Sequence, residues 1–322
     1  MALALKKENM TVLAINKRKK EIIVVSDSRY SFDVVSMRGD SSEKIFLDNG
    51  PKIFKLNTKI VSSLNEKMES SILYQGSIGI AFAGNVNFMQ TYKSRLEWVM
   101  EYLQVSPLNK KRYSDIIVDI AFEEYKDLYE STCDKYMDDT DVCFFIKNSE
   151  TNDLESYLFS VVFEDGMENP EARKQLVAND ISFYGSGKEW AQTKFDILRQ
   201  NRGLPGNILQ LMKMIVKDLE KQSNSDVGGD LQCGRLDESG FEVVGVLDYD
   251  ETSFSAPFHY CFGGTRMHEN DKYGSGVNVT RGFLEVYNEK ELEEKNNEEF
   301  KRSMQSIFGE NWSNDCNMWD VQ

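Results

Sequence analysis

A strand–turn–strand pattern near the start of the chain constrains it most. Met10-Thr11-Val12-Leu13-Ala14-Ile15 leads into a turn carrying Lys17-Arg18-Lys19-Lys20, and Ile22-Ile23-Val24-Val25-Ser26-Asp27-Ser28-Arg29 follows. Apolar and β-branched residues flanking a short charged turn predict a β-hairpin over residues 11–27, with the basic tip solvated. Its first strand is expected to begin with a hydroxyl, Thr11, and its second to end in a carboxylate, Asp27, sixteen residues on. Lys52 opens the next strand-like segment, Lys52-Ile53-Phe54-Lys55-Leu56. If cleavage before Thr11 made it the chain terminus, its free amine would act as base for its own hydroxyl.

Composition removes several function classes. The 322 residues suffice for one large domain or two small ones, and 40% hydrophobic with 28% charged residues is ordinary for a soluble globular protein. A net charge of −15 argues against a nucleic-acid partner, which needs a basic face. Five cysteines, Cys133, Cys143, Cys233, Cys261 and Cys316, form no CxxC pair, and this reads as the reduced thiols of a cytoplasmic protein. With only His259 and His268 present, neither a His-rich metal site nor a His-based triad is expected, and no cofactor is expected. The first ten residues lack the apolar run of a signal peptide, and no stretch approaches the roughly 20 apolar residues of a membrane span.

Along the chain, one strand is expected near residues 34–37 and a loop insertion over residues 61–77. Ser77-Ile78-Gly79-Ile80-Ala81-Phe82-Ala83-Gly84 reads as a buried strand ending in glycine. Phe88, Tyr92, Leu96, Val99 and Leu103 recur at helical spacing, as do Ile117, Ile120, Ala121 and Leu128 with Ser114 as N-cap. Strands are expected over residues 142–147, 154–163 and 181–184, the last ending in Gly185-Ser186-Gly187. A second helical pair carries Ala191, Phe195 and Leu198, then Ile208, Leu211, Met212, Ile215 and Leu219 behind an Asn207 cap. Strands near residues 230–235 and 241–247 follow, joined by Asp237-Glu238-Ser239-Gly240. Helix pairs set between blocks of strands imply an α+β layering. Cys261-Phe262-Gly263-Gly264 reads as a turn, because the strand–helix context of a phosphate loop is missing, and an acidic helix-like stretch covers residues 288–308.

This order, together with Thr11, Asp27, Lys52, the Ala83-Gly84 strand end and Gly185-Ser186-Gly187, resembles the proteasome β-subunit family, including the bacterial two-component ATP-dependent peptidase. The resemblance implies an N-terminal-nucleophile hydrolase fold, a four-layer αββα sandwich. The implied organisation is a leader over residues 1–10, the sandwich over 11–250 and a C-terminal extension over 251–322. It implies Thr11 as nucleophile, Asp27 as the acid orienting Lys52, and Lys52 as the charge that depresses the pKa of nucleophile and amine. Gly84 would supply an oxyanion N–H, Ser186 would support the terminal amine, or else cap the following helix, and Phe82 would floor the first specificity pocket. It further implies a self-compartmentalising homo-oligomeric ring that cleaves peptides or unfolded proteins. No GxxxxGK[ST] signature is present, so an ATP-dependent unfoldase would be another chain.

Departures from the family pattern keep alternatives open. Met10 stands where glycine is usual, and one inserted turn residue would put Met10 rather than Thr11 at the nucleophile position. Asn224 and Val227 stand where an aspartate and a serine are usual, with Ser225 and Asp226 close by, and the loop before Lys52 is long. The competing functions are a threonine peptidase, a catalytically inactive proteasome-like scaffold or assembly protein, and an amidohydrolase of small substrates.

Overall fold

The computed structural model describes residues 11–35, 42–63, 70–106, 108–131, 140–162, 171–177, 180–221, 226–249, 258–263, 265–267 and 283–285. In chain order the described elements are β1 (Leu13–Lys17), β2 (Ile22–Ser26), β3 (Tyr30–Val35), β4 (Ser42–Leu47), β5 (Ile53–Ser62), β6 (Ile72–Ala83), α1 (Val86–Glu101), β7 (Leu103–Val105), α2 (Tyr113–Ser131), β8 (Asp141–Lys147), β9 (Leu154–Val162), β10 (Glu171–Leu176), β11 (Asp180–Tyr184), α3 (Lys188–Gln200), α4 (Ile208–Glu220), β12 (Gln232–Asp237), β13 (Gly240–Tyr249), β14 (Phe258–Phe262), β15 (Thr265–Met267) and β16 (Phe283–Glu285). The fold is mixed α+β. One sheet runs β11-β1-β2-β12-β13-β14-β15 with β16 beside β13, a second runs β10-β9-β8-β6-β5-β7, and β3-β4 form a separate pair.

The expected hairpin is β1-β2, with Leu13 opposite Ser26 and Ile15 opposite Val24. β2 is flanked by β1 and β12, so all its backbone groups can pair. Its near-continuous apolar run follows from burial on both faces, because successive strand side chains point to opposite sides. Ile23 and Val25 share a core with Val12, Ala14 and the α3–α4 residues Phe195, Leu211, Met212 and Ile215. Ile22 and Val24 share another with Leu13, Ile15, Ile53, Ala81, Cys143 and Phe145, where the two sheets face each other. A third core joins Ile78, Ile80, Phe82 and Phe144 to Phe88, Tyr92, Leu96, Ile117 and Tyr125 of α1 and α2. Each large apolar side chain withdrawn from water contributes about 1.5–3 kcal/mol. Between the sheets Phe241 stacks on Phe145 at 5.5 Å. A Cβ on Gly79 would lie 2.2 Å from the Phe241 ring, so only glycine admits that packing.

Several elements differ from expectation. Residues 72–77, expected in a loop, begin β6; Leu73 and Tyr74 are half-buried against the helix-side core, while Ile72 and Gln75 are exposed. Leu103 leaves the α1 face and pairs in β7, parallel to β5, yet it stays in the same core as α1, which is why it continued the helical spacing. Ser114 lies inside the first turn of α2 rather than capping it. Near residues 34–37 two strands, β3 and β4, pair instead of one standing alone. β10 was missed because Glu-Ala-Arg-Lys-Gln-Leu is an exposed edge strand without apolar alternation. Cys261 and Phe262 end β14, and the turn begins at Gly263. Asn207 caps α4 as expected, accepting from the Gln210 N–H at 2.8 Å. β14 and β16, from residues beyond 250, both pair with β13. Residues 1–10 and the helix expected over 288–308 lie outside the described residues. No described helix is long and apolar enough to cross a membrane.

Candidate active site

Thr11 lies two residues before β1, and Asp27 follows β2 directly. The hairpin register continues past the strand ends, so Val12 and Asp27 stand opposite one another. The Val12 N–H donates to Asp27 Oδ1 at 3.2 Å, the Asp27 N–H to the Val12 carbonyl at 3.4 Å, and Ser26 Oγ to the same carbonyl at 3.2 Å. The acid is thereby fixed against the peptide that follows Thr11.

Lys52 precedes β5 and crosses from the other sheet. Its N–H donates to Gln232 Oε1 at 2.7 Å, and its carbonyl accepts from the Phe82 N–H at 3.1 Å. The Nζ lies 2.9 Å from Asp27 Oδ2 and 3.3 Å from Thr11 Oγ1. Lys52 is 1% and Asp27 0% exposed. Burial pushes the Asp27 carboxyl up and the Lys52 amine down, and their mutual attraction pulls each back. Asp27 Oδ2 also accepts from the Arg29 and Gly228 N–H groups, both at 3.3 Å. A buried carboxylate holding four donors is oriented rigidly. A lysine whose pKa is lowered exchanges a proton with a neighbouring hydroxyl more readily than a solvated one.

The Gly185-Ser186-Gly187 segment wraps Thr11. The Thr11 N–H donates to Ser186 Oγ at 3.1 Å, and the Gly187 N–H donates to the Thr11 carbonyl at 3.2 Å. Gly185 has φ +86°, and a Cβ there would stand 2.3 Å from the Thr11 carbonyl oxygen. The α3 N-cap position is Gly187, one residue after Ser186, whose Oγ is engaged by the Thr11 N–H. Gly84 follows β6 with φ +131°. It neighbours this segment, since a Cβ added to Gly185 would approach Ala83 Cβ at 2.8 Å. Phe82 is 1% exposed and packs in the helix-side core, 6.4 Å from Tyr30 and 6.3 Å from Phe54 between ring centroids.

Thr11, Asp27, Lys52 and Ser186 are thus joined by direct contacts, Gly84 is close by, and Phe82 is turned into the core. Met10, Asn224 and Ser225 lie outside the described residues. Val227 is fully buried in the α3–α4 core and Asp226 is 2% exposed. That loop reaches the site through the Gly228 backbone. Two neighbours escaped sequence reasoning. Gln232 donates through Nε2 to the Asp27 carbonyl at 3.1 Å and the Gly50 carbonyl at 2.8 Å. The Tyr30 ring centroid lies 6.0 Å from Lys52 Nζ. Tyr30 sits three residues past Asp27 and could have been suspected; Gln232, far along the chain, carries no local signal. Among the described residues no cluster of His, Cys, Asp and Glu has metal-ligand geometry.

No protein-family model matches the chain. No curated protein matches it by sequence. Among solved structures it is similar to Anbu (ancestral beta-subunit) from Yersinia bercovieri, with TM-score 0.44 and 12% identity over 72% of this chain and 86% of that one. It is also similar to a chain of the helical assembly of the Anbu complex from Pseudomonas aeruginosa, with TM-score 0.42 and 14% identity over 91% of this chain and 96% of that one.

Proposed function

We propose that this protein is a proteasome-like threonine peptidase with Thr11 as nucleophile. The observation that carries the reading is the buried contact chain from Thr11 Oγ1 through Lys52 Nζ to Asp27 Oδ2, at 3.3 and 2.9 Å. Three cores, two beneath helices and one between sheets, support an αββα layering. The domain is assigned to residues 11–250, with β14 and β16 of the 251–322 extension adding to its sheet. After cleavage of the Met10–Thr11 bond, the Thr11 amine takes the Oγ1 proton as Oγ1 attacks a substrate carbonyl. The Gly84 N–H holds the oxyanion. The intermediate collapses, the ammonium returns its proton to the departing amine, and water then hydrolyses the threonyl ester. Lys52, held by Asp27, keeps the amine neutral and the nucleophile's pKa low, and Ser186 Oγ holds the amine nitrogen. The working unit is a cytoplasmic homo-oligomeric ring taking peptides or unfolded protein, with any unfoldase a separate chain.

One observation favours a second reading. Val227 is buried among apolar side chains where the resemblance leads one to expect a polar site residue. An inactive scaffold of the same fold would tolerate this.

The test is the intact mass of the purified 37.0 kDa chain together with peptide hydrolysis by wild type and Thr11→Ala. The peptidase reading expects loss of residues 1–10 from wild type and no turnover by the variant. A full-length chain, or turnover unchanged in Thr11→Ala, overturns it and leaves the scaffold.

A further inference from the structure

Beside Lys52 stands one aromatic ring, that of Tyr30, with two more behind it. The Tyr30 ring centroid stands 6.0 Å from Lys52 Nζ, and the residue is 7% exposed. Its hydroxyl donates to the Pro51 carbonyl, the residue immediately before Lys52, and it also bonds with Gln90 of α1. A Cβ on Gly50 would lie 2.4 Å from the Tyr30 ring, so glycine makes room for it. On its other side the ring meets Phe82 at 6.4 Å, and Phe82 stacks on Phe54 at 6.3 Å with 10° between planes. Tyr30 is therefore anchored at its tip, seated on a glycine and backed by two further rings. Such a residue does not move aside cheaply, because interiors are packed to crystal-like density.

We propose that Tyr30 sets the specificity of this site: its ring occupies the space beside Lys52 that a large side chain next to the attacked carbonyl needs, so the site accepts acyl groups bearing small side chains such as glycine, alanine or serine. The inference rests on the hydrolase reading above and adds a substrate class to it. The physical basis is exclusion of volume. A pocket without room for extra methylenes discriminates by about 10–200-fold per group of that size.

Two measurements test it with the full chain. The first is hydrolysis of a peptide panel varied only at the residue whose carbonyl is attacked, by wild type, Tyr30→Ala and Tyr30→Phe. Wild type and Tyr30→Phe should prefer small residues. Tyr30→Ala should shift toward leucine and phenylalanine by at least about tenfold in relative kcat/KM. A wild type that prefers leucine or phenylalanine overturns the proposal without needing any variant to fold, and so does an unchanged preference in Tyr30→Ala. The second is thermal denaturation with millimolar p-cresol, which should raise the Tm of Tyr30→Ala by filling the vacated space and leave wild type unchanged. If p-cresol stabilises only Tyr30→Ala while no peptide is cleaved, Tyr30 fills a space of its own size but the peptidase reading fails, and the substrate class falls with it. If p-cresol stabilises wild type and Tyr30→Ala equally, the space was not filled by Tyr30, and the proposal fails.

Discussion

Lys52 Nζ and Asp27 Oδ2 are 2.9 Å apart with both side chains withdrawn from solvent, so neither charge has a substitute partner in water. Removing one partner of such a pair costs far more than the pair contributes. Asp27→Ala should destabilise the protein by roughly 3–5 kcal/mol in chemical denaturation and abolish any hydrolysis. Pairing it with Lys52→Met should recover much of the stability and none of the activity. A single Asp27→Ala variant as stable as wild type would mean that the ion pair is not buried in solution.

The same burial sets a pH dependence. Desolvation lowers the Lys52 pKa below 10.5, so between the folded value and 10.5 the unfolded chain binds more protons than the folded one. Stability contributed by this group therefore rises with pH across that window, by at most about 1.4 kcal/mol per pH unit. Urea denaturation at pH values approaching 10.5 should show wild type gaining on Lys52→Met as pH increases. A gap that narrows there would contradict the sign.

Gly185→Ala should be severe. Positive φ alone costs an L-residue about 1–2 kcal/mol, and here the new Cβ would also meet the Thr11 carbonyl oxygen at 2.3 Å. Gly263 offers a control, with φ +57° and nothing within 4 Å of an added Cβ. Gly263→Ala should lower Tm by a few degrees, and Gly185→Ala by clearly more, with loss of hydrolysis. Equal effects in a thermal melt would show that only backbone strain matters at Gly185.

Ser186→Ala separates positioning from capping. Ser186 Oγ accepts from the Thr11 N–H at 3.1 Å, and the α3 cap position is Gly187, without a side-chain cap bond. Turnover should fall by about tenfold or more, while stability changes by only about 1 kcal/mol, the scale of one hydrogen bond. Weakened helicity with normal turnover would restore the capping role.

What was legible in the sequence was what is local or periodic. The hairpin, the placing of Thr11 and Asp27 at its two ends, and the α4 cap at Asn207 depend on neighbours within a few residues or on one local turn. Lys52 was found through the resemblance and its strand-like setting, and its partner contacts are tertiary. β10 hid because a solvated edge strand carries no apolar alternation, and the outer half of β6 because Ile72-Leu73-Tyr74 runs straight into Gln75-Gly76-Ser77, which reads as loop. Leu103 mimicked a helical position because burial in one core was mistaken for membership of one element. Ser186 could be read equally as cap or as support until the fold brought it to Thr11. Gln232 was invisible, since a glutamine at a strand start says nothing of partners 180 and 205 residues away.

That glutamine ties the timing of the site to the length of the chain. Its three hydrogen bonds staple the end of β2 to the start of β5 from a strand near residue 232. Contacts of such high sequence separation form late, because chain entropy opposes closing long loops before local structure exists. A nascent chain that has emerged only as far as β11 already has its threonine, acid and lysine, yet lacks the clasp that aligns them. Those three bonds therefore cannot form until β12 has been synthesised, so this part of the arrangement is completed only when most of the chain exists.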